Sequence, residues 1–235
     1  MACATAPRDT SALARAWGED ARGAVGATPA SWDDRAIPGK AASRYRYTVK
    51  DGRHAVLAEA QASASLLRRK MQVSPDALGL IRFSWLVPSL IAQADLSRRD
   101  QADSPVRVML AFDGDRSRLS AKDAMMSELA RTLTGEDMPF ATLMYVWANE
   151  APRETVIRNP RTDRVRKIVV ESGSSRLHQW LDYERDIRAD YERAFGEPPG
   201  ALIGIAIMTD ADNTRSAAKA WYGPLRLAPA LTARR

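Results

Sequence analysis

Ile81-Arg82-Phe83-Ser84-Trp85-Leu86-Val87 places large apolar side chains at alternate positions, with Arg82, Ser84 and Leu86 between them. A period of two belongs to a strand with one face in a core and the other toward solvent. The same pattern extends outward in both directions. Upstream, Tyr45, Tyr47 and Val49 alternate with Arg46 and Thr48. Asp51-Gly52 is a hairpin turn signal, and the partner segment 54–61 puts Val56, Ala58 and Ala60 on one face. Leu67, Arg69, Met71 and Val73 then oppose Arg68, Lys70 and Gln72, up to a turn at Pro75-Asp76. Downstream, the polar stretch 91–104 predicts a loop. Val106, Val108, Leu110 and Phe112 restart the strand pattern, which stops at Asp113-Gly114-Asp115. Residues 141–149 read as an aromatic strand and 165–171 as another, with a loop between Pro152 and Pro160.

Two helices are expected between the late strands. Ser120 can cap a helix running to Leu133, with Ala124, Met125, Leu129 and Leu133 turned inward. From Leu177 to Phe195, the residues Leu177, Trp180, Leu181, Ile187, Tyr191, Ala194 and Phe195 fall on one helical stripe. Pairs such as Glu184–Arg188 and the polar His178 would sit on its solvent side, Gly196 suits the C′ position, and Pro198-Pro199 forbids continuation. About nine or ten strands with two inserted helices predict a mainly β antiparallel sandwich rather than a βαβ sheet. Segments 165–171 and 202–208 lack polar alternation. Both of their faces should be covered, with the second helix a candidate cover.

The composition fits a globular chain: 235 residues, 45% hydrophobic and 27% charged, long enough for a sizeable core. The net charge is +6, carried mainly by scattered arginines, and the pI is near 9.7. With no zinc-finger spacing and no basic-aromatic stripe, nucleic acid is not an expected partner. The single cysteine, Cys3, excludes an internal disulfide and a cysteine zinc site. The two histidines, His54 and His178, are too few for a three-histidine site, and neither a Gly-x-Ser-x-Gly nucleophile elbow nor a Gly-rich phosphate loop is present. Residues 1–42, rich in Ala, Gly, Pro and Ser, read as an irregular arm in which Trp32 should pack on the domain. Residues 43–228 read as one domain and 229–235 as a tail. Met1-Ala-Cys-Ala-Thr-Ala-Pro7 is similar to the end of a lipoprotein signal, with Cys3 as the lipid-bearing residue. It predicts an exported, periplasmic or lipid-anchored protein. With Met1 as the true start, the expectation is cytoplasmic.

The apolar run Ala201-Leu202-Ile203-Gly204-Ile205-Ala206-Ile207-Met208 breaks into Thr209, Asp210, Asp212, Asn213 and Thr214. A strand that ends in side-chain oxygens can hold an organic ligand or a cation, or can form a turn bonded to its own backbone. Candidate ligand-binding residues are therefore Asp210, Asp212 and Asn213. Tyr145 and Trp147 join them, since flat rings on a strand face can stack on a sugar or fill a core. Arg164 is either a carboxylate-binding group or half of a structural ion pair. No catalytic residue is assigned. No cofactor is expected, calcium at Asp210 and Asp212 being the one alternative. Asp113, Asp115, Glu150, Asp210 and Asp212 are strand-end carboxylates that an enzyme on sugars would need in pairs.

Tyr145-Val146-Trp147-Ala148-Asn149, Thr162-Asp163-Arg164-Val165, Val169-Val170-Glu171-Ser172-Gly173, the segment 180–196 and Met208-Thr209-Asp210-Ala211-Asp212-Asn213-Thr214 follow one another in that order. Together they resemble the bacterial family catalogued as domain of unknown function 3047, over residues 45 to 228. The resemblance implies a jelly-roll sandwich of the galactose-binding kind, often exported, with carbohydrate as the ligand class. This chain has Arg215-Ser216 where a glycine is common in the family. The expected function is a non-catalytic binding module of the bacterial envelope. The alternatives are a carboxylate-dependent enzyme on polysaccharide or sugar conjugates, and an envelope assembly protein that binds another protein through its basic surface.

Overall fold

A computed structural model describes residues 25–27 and 32–228. Cys3, Trp17, most of the arm and the 229–235 tail lie outside the described residues. The strands are β1 (Asp33–Ala36), β2 (Arg44–Lys50), β3 (Arg53–Gln61), β4 (Ser65–Val73), β5 (Leu80–Leu86), β6 (Ser104–Phe112), β7 (Ala141–Ala148), β8 (Val156–Arg158), β9 (Val165–Ser172), β10 (Trp180–Asp186), β11 (Leu202–Asp210), β12 (Ala217–Tyr222) and β13 (Arg226–Ala228). The helices are α1 (Ala121–Thr134) and α2 (Ile187–Phe195). One sheet runs β1-β4-β11-β6-β7-β9-β8. The other runs β10-β5-β12-β3-β2, with β13 continuing beside β5 where β12 ends. This is a mainly β sandwich of jelly-roll type with two helices between late strands.

The alternation read from the sequence explains the packing. Ile81, Phe83 and Trp85 of β5 point inward and meet Tyr145 and Trp147 of β7, Val108 and Leu110 of β6, and Tyr45 and Tyr47 of β2 in one core. Phe83 stacks on Tyr145 with centroids 5.4 Å apart, and Trp85 is fully buried. Trp32 is buried in the same core, as expected of it, and the short β1 that follows pairs with β4. Every strand pairing is antiparallel except β7 with β9. The chain leaves β7, forms β8 at the sheet edge and returns as β9 between the two, so β9 runs parallel to β7.

The helix expected over 177–195 is half strand. Leu181, Tyr183 and Arg185 alternate with Asp182, Glu184 and Asp186, and the segment pairs residue by residue with β5, from Trp180↔Leu86 to Asp186↔Leu80. Seven residues could satisfy both periods, and an open edge of β5 decided between them. His178 accordingly lies in the turn before β10, and Glu184 meets Arg82 across the strands rather than Arg188 along a helix. The helix starts where Asp186 accepts a hydrogen bond from the Ala189 amide, and it ends at Gly196 in the left-handed conformation (φ 72°). α2 seats Tyr191 against Phe112 at 4.7 Å and closes one end of the sandwich.

α1 also differs from expectation. Ser120 caps it by accepting from the Asp123 amide, but its stripe faces outward: Met125, Leu129 and Leu133 are 66%, 58% and 60% exposed. Its buried side is polar. Ser127 accepts from the Met138 amide, and Asp123 shares the Ser120 hydroxyl. At the loop after the helix, Glu136 bridges Arg68 (2.7 Å) and Lys70 (2.8 Å) on the outer face of β4, which holds the Glu136 carboxyl down at about 2. β9 and β11 are covered on both faces as read. For β9 the outer cover is the 91–103 segment, whose Leu96 packs on Val146, Val165 and Val169.

Candidate functional site

The end of β11 is built by a buried ion pair. Arg107, from the outer face of β6, grips Asp210 through Nε–Oδ1 at 2.9 Å and Nη2–Oδ2 at 3.0 Å, and the Ser104 amide adds a third donor at 3.0 Å. The two side chains are 4% and 5% exposed. Burial pushes the Asp210 carboxyl up, and the Arg107 guanidinium opposes that shift. The loop beyond is tied by a residue the sequence did not single out. Asp103 accepts from the Asn213 amide and Nδ2 (3.2 and 2.8 Å) and from the Thr214 amide and hydroxyl (2.7 and 2.6 Å). Burial raises the Asp103 carboxyl, but the bonds from Thr214 and Asn213 win and hold it below its ordinary value. Asp212 pairs with Lys40, and its carbonyl accepts from the Arg215 amide. Arg215 has φ 53°, the left-handed conformation that favours glycine.

The oxygens of Asp103, Asp210 and Asp212 gather within 4.8 Å of one another. Their charge is met by Arg107 and Lys40, and both Asp103 oxygens are already engaged. On Asp103 and Asp210 a calcium ion would have to displace donors that the fold supplies, whereas Asp212 Oδ1 is buried without a hydrogen-bond partner among the described residues. These aspartates order the loop, and of the sequence candidates Asp210 and Asn213 also line a pocket of ≈ 140 Å³ on the outer face of the β1-to-β8 sheet. Its floor is Met144, Arg107, Met208 and Lys167, and Lys40, Arg99 and Arg161 also line it. Lys167 is 1% exposed, and its ammonium donates to the Leu96 carbonyl at 2.7 Å. Burial first, then Arg107, push its pKa down to about 7 against the pull of Asp210 and Asp95. A lysine between Val165 and Val169 on one face of a buried strand was the legible signal here.

Tyr145 and Trp147 do not reach a ligand surface. They are 0% and 1% exposed. Tyr145 Oη donates to Asp190 at 3.0 Å, and the Trp147 indole donates to the Gly173 carbonyl at 2.9 Å. Their strand lies mid-sheet with both faces covered, so aromatic side chains there fill the core. Arg164 is a structural group. It stacks on Phe140 at 3.9 Å and pairs with Glu197 at 2.6 Å, at the opposite end of the strands from Asp210. Of the strand-end acids, Asp115 caps a 3₁₀ turn by accepting from the Ser117 amide, and Asp113 accepts from the Gly114 amide.

Two half-buried tryptophans lie on the other sheet. Trp180 of β10 pairs with Leu86 of β5, which pairs with Trp221 of β12, which pairs with Leu57 of β3. Directly paired residues share a face, and Leu86 and Leu57 are absent from the central core, so this row lies on the outer face. Both tryptophans are half-buried. Arg53 lies over Trp180 at 5.3 Å, and Lys50 and Lys219 over Trp221 at 5.4 Å each. Beside the row is a cleft of ≈ 610 Å³ lined by Arg53, His54, Arg82, Ser84, Asp182 and Glu184 among others. Trp180 was hidden because its segment was read as helix. Trp221 could have been found from the Lys219-Trp221 alternation against Ala220-Tyr222.

No curated protein matches the chain. Among solved structures, the family 11 carbohydrate-binding module of a cellulosomal cellulase from Clostridium thermocellum aligns at 12% identity over 92% of this chain and 95% of that one, with a TM-score of 0.42. A thermostable cellulase derived from the Cel12A enzyme of Rhodothermus marinus aligns at 11% identity over 87% and 97%, with a TM-score of 0.43. A mannan-recognising carbohydrate-binding module aligns at 7% identity over 84% and 87%, with a TM-score of 0.31. The family model described as protein of unknown function (DUF3047) matches residues 30–226, the span that carries the sandwich and both surface sites, and the chain belongs to that family.

Proposed function

We propose that the protein is a non-catalytic module that binds carbohydrate on the outer face of the β10-to-β2 sheet. One observation carries this reading: the cross-strand row Trp180–Leu86–Trp221. The two indoles stand two strand spacings apart, roughly 9–10 Å, about the span of a disaccharide. The apolar faces of two indoles match the C–H faces of two sugar rings. Arg53, Lys50 and Lys219 lie over the indoles as donors, and their ion-pair partners Asp182 and Glu59 bring acceptors for hydroxyl groups beside the row. The flanking cleft offers room for further sugar units. The Met1–Pro7 segment supports a place in the bacterial envelope, which labelling with a palmitate analogue in wild type and Cys3→Ser would check.

Affinity electrophoresis through gels containing cellulose derivatives, mannan, xylan or pectin tests the binding reading. Retardation on at least one polysaccharide is expected, reduced tenfold or more in Trp221→Ala and Trp180→Ala with the far-ultraviolet circular dichroism unchanged. Equal retardation of wild type and both variants would refute the tryptophan row as the site.

A further inference from the structure

We propose that the pocket of ≈ 140 Å³ on the opposite sheet is a second binding site, one that takes an oxyanion carried by a small molecule: a carboxylate such as that of a sugar acid, or a phosphate. The inference is independent of the tryptophan row, which lies on the other outer face of the sandwich.

Four observations support it. First, two buried cations share the pocket floor with one buried carboxylate. Arg107 and Lys167 flank Met144 on adjoining strands, and Asp210 answers Arg107 alone. Taking a charge out of water costs several kcal/mol unless a counter-charge meets it, and Lys167 has none in contact with it among the described residues. Second, both cations keep free donors. The Lys167 ammonium has three N–H groups and meets one carbonyl, that of Leu96. Arg107 spends Nε and Nη2 on Asp210 and the Ala102 carbonyl, whereas among the described residues Nη1 meets only the Met144 sulfur, a weak acceptor, at 3.8 Å. Third, Arg99 and Arg161 line the same pocket, are exposed, and have no ion-pair partner among the described residues. Unpaired guanidinium forks match the geometry of carboxylate and phosphate. Fourth, the Asn213 amide and Lys40 are fixed beside it by Asp103 and Asp212, so the donors are held in place before a ligand arrives.

The volume suits one oxyanion and a small body such as a single sugar ring, not a polymer. Binding also relieves the repulsion between Arg107 and Lys167, so it should favour the charged ammonium and tighten as pH falls from 8 to 6. The groups facing Lys167 in that range are Arg107 of β6, Asp210 of β11, Asp95 of the 91–103 segment and Arg161 of the β8–β9 loop.

Isothermal titration at fixed ionic strength tests the site with three probes: inorganic phosphate, galacturonate and galactose. Saturable binding of phosphate or galacturonate is expected, with whichever binds tighter identifying the oxyanion, and galactose should give no heat. Arg161→Ala and Arg99→Ala, both at exposed positions, should each weaken it about threefold to tenfold, and Lys167→Met by tenfold or more. Trp221→Ala should leave it unchanged. No saturable binding of either anion, or wild-type affinity in Lys167→Met, would overturn the proposal.

Discussion

Replacing Lys167 with methionine should make the protein more stable near neutral pH, and the gain should disappear in base. In the folded chain the Lys167 pKa lies at about 7 instead of 10.5. Folding therefore disfavours the charged form, and at ~1.4 kcal/mol per pH unit the difference is about 5 kcal/mol as an upper bound. Below pH 7 the ammonium is charged in both folded and unfolded chains, and the whole penalty falls on the folded state. Between pH 7 and 10.5 the unfolded chain holds a proton that the folded chain has released, so wild-type stability rises with pH. The group then contributes an increase of about 2 kcal/mol from pH 7 to 9. Methionine fills similar volume with no charge. It loses the bond to the Leu96 carbonyl, which costs about 1 kcal/mol. The variant should thus gain roughly 2–4 kcal/mol at pH 6.5, and its advantage should shrink by about 2 kcal/mol at pH 9. Urea denaturation of both proteins at pH 6.5, 7.5, 8.5 and 9, in buffers without polyvalent anions, measures this directly. A variant less stable than wild type at pH 6.5, or one with the same dependence on pH, would refute the reasoning. Either result would mean that the Leu96 tether dominates and the burial of charge does not.

Arg107→Ala leaves the Asp210 carboxylate buried without its partner and should cost about 3–5 kcal/mol in urea denaturation. Adding Asp210→Asn should recover part of that loss, and strict additivity of the two changes would argue against the pair. Asp103→Ala removes the acceptor for four donors in the 212–214 loop and should lower stability by about 1–3 kcal/mol. If the three aspartates instead held calcium, wild type would lose stability on chelation with EDTA, and no loss is expected. Leu129→Lys changes an exposed helix position and should shift the midpoint by no more than about 0.5 kcal/mol. A large loss would mean that something covers the α1 stripe.

Where the sequence carried one unambiguous period, the expectation and the fold agree. Residues 45–61 and 81–87 alternate cleanly and became β2, β3 and β5. Segment 180–186 satisfied the strand and helix periods together, and its pairing with β5 settled the matter. β8 was too short to leave a pattern. The site was less legible than the sandwich. Asp210 and Asn213 were correctly drawn to one strand end, but their partners Arg107 and Asp103 lie more than a hundred residues away in sequence. Tyr145 and Trp147 have the side chains a sugar site needs and sit on a strand whose position mid-sheet forbids it.

The amino-acid order thus determined the layered β architecture, because strand alternation and turn chemistry are local and repeat every few residues. It also determined the family. The tertiary structure alone decided which face each aromatic presents, which aspartates meet arginine, and that Lys167 and Arg107 share the floor of one surface pocket. Those outcomes depend on strand order and register across the sheet, and no local pattern encodes them.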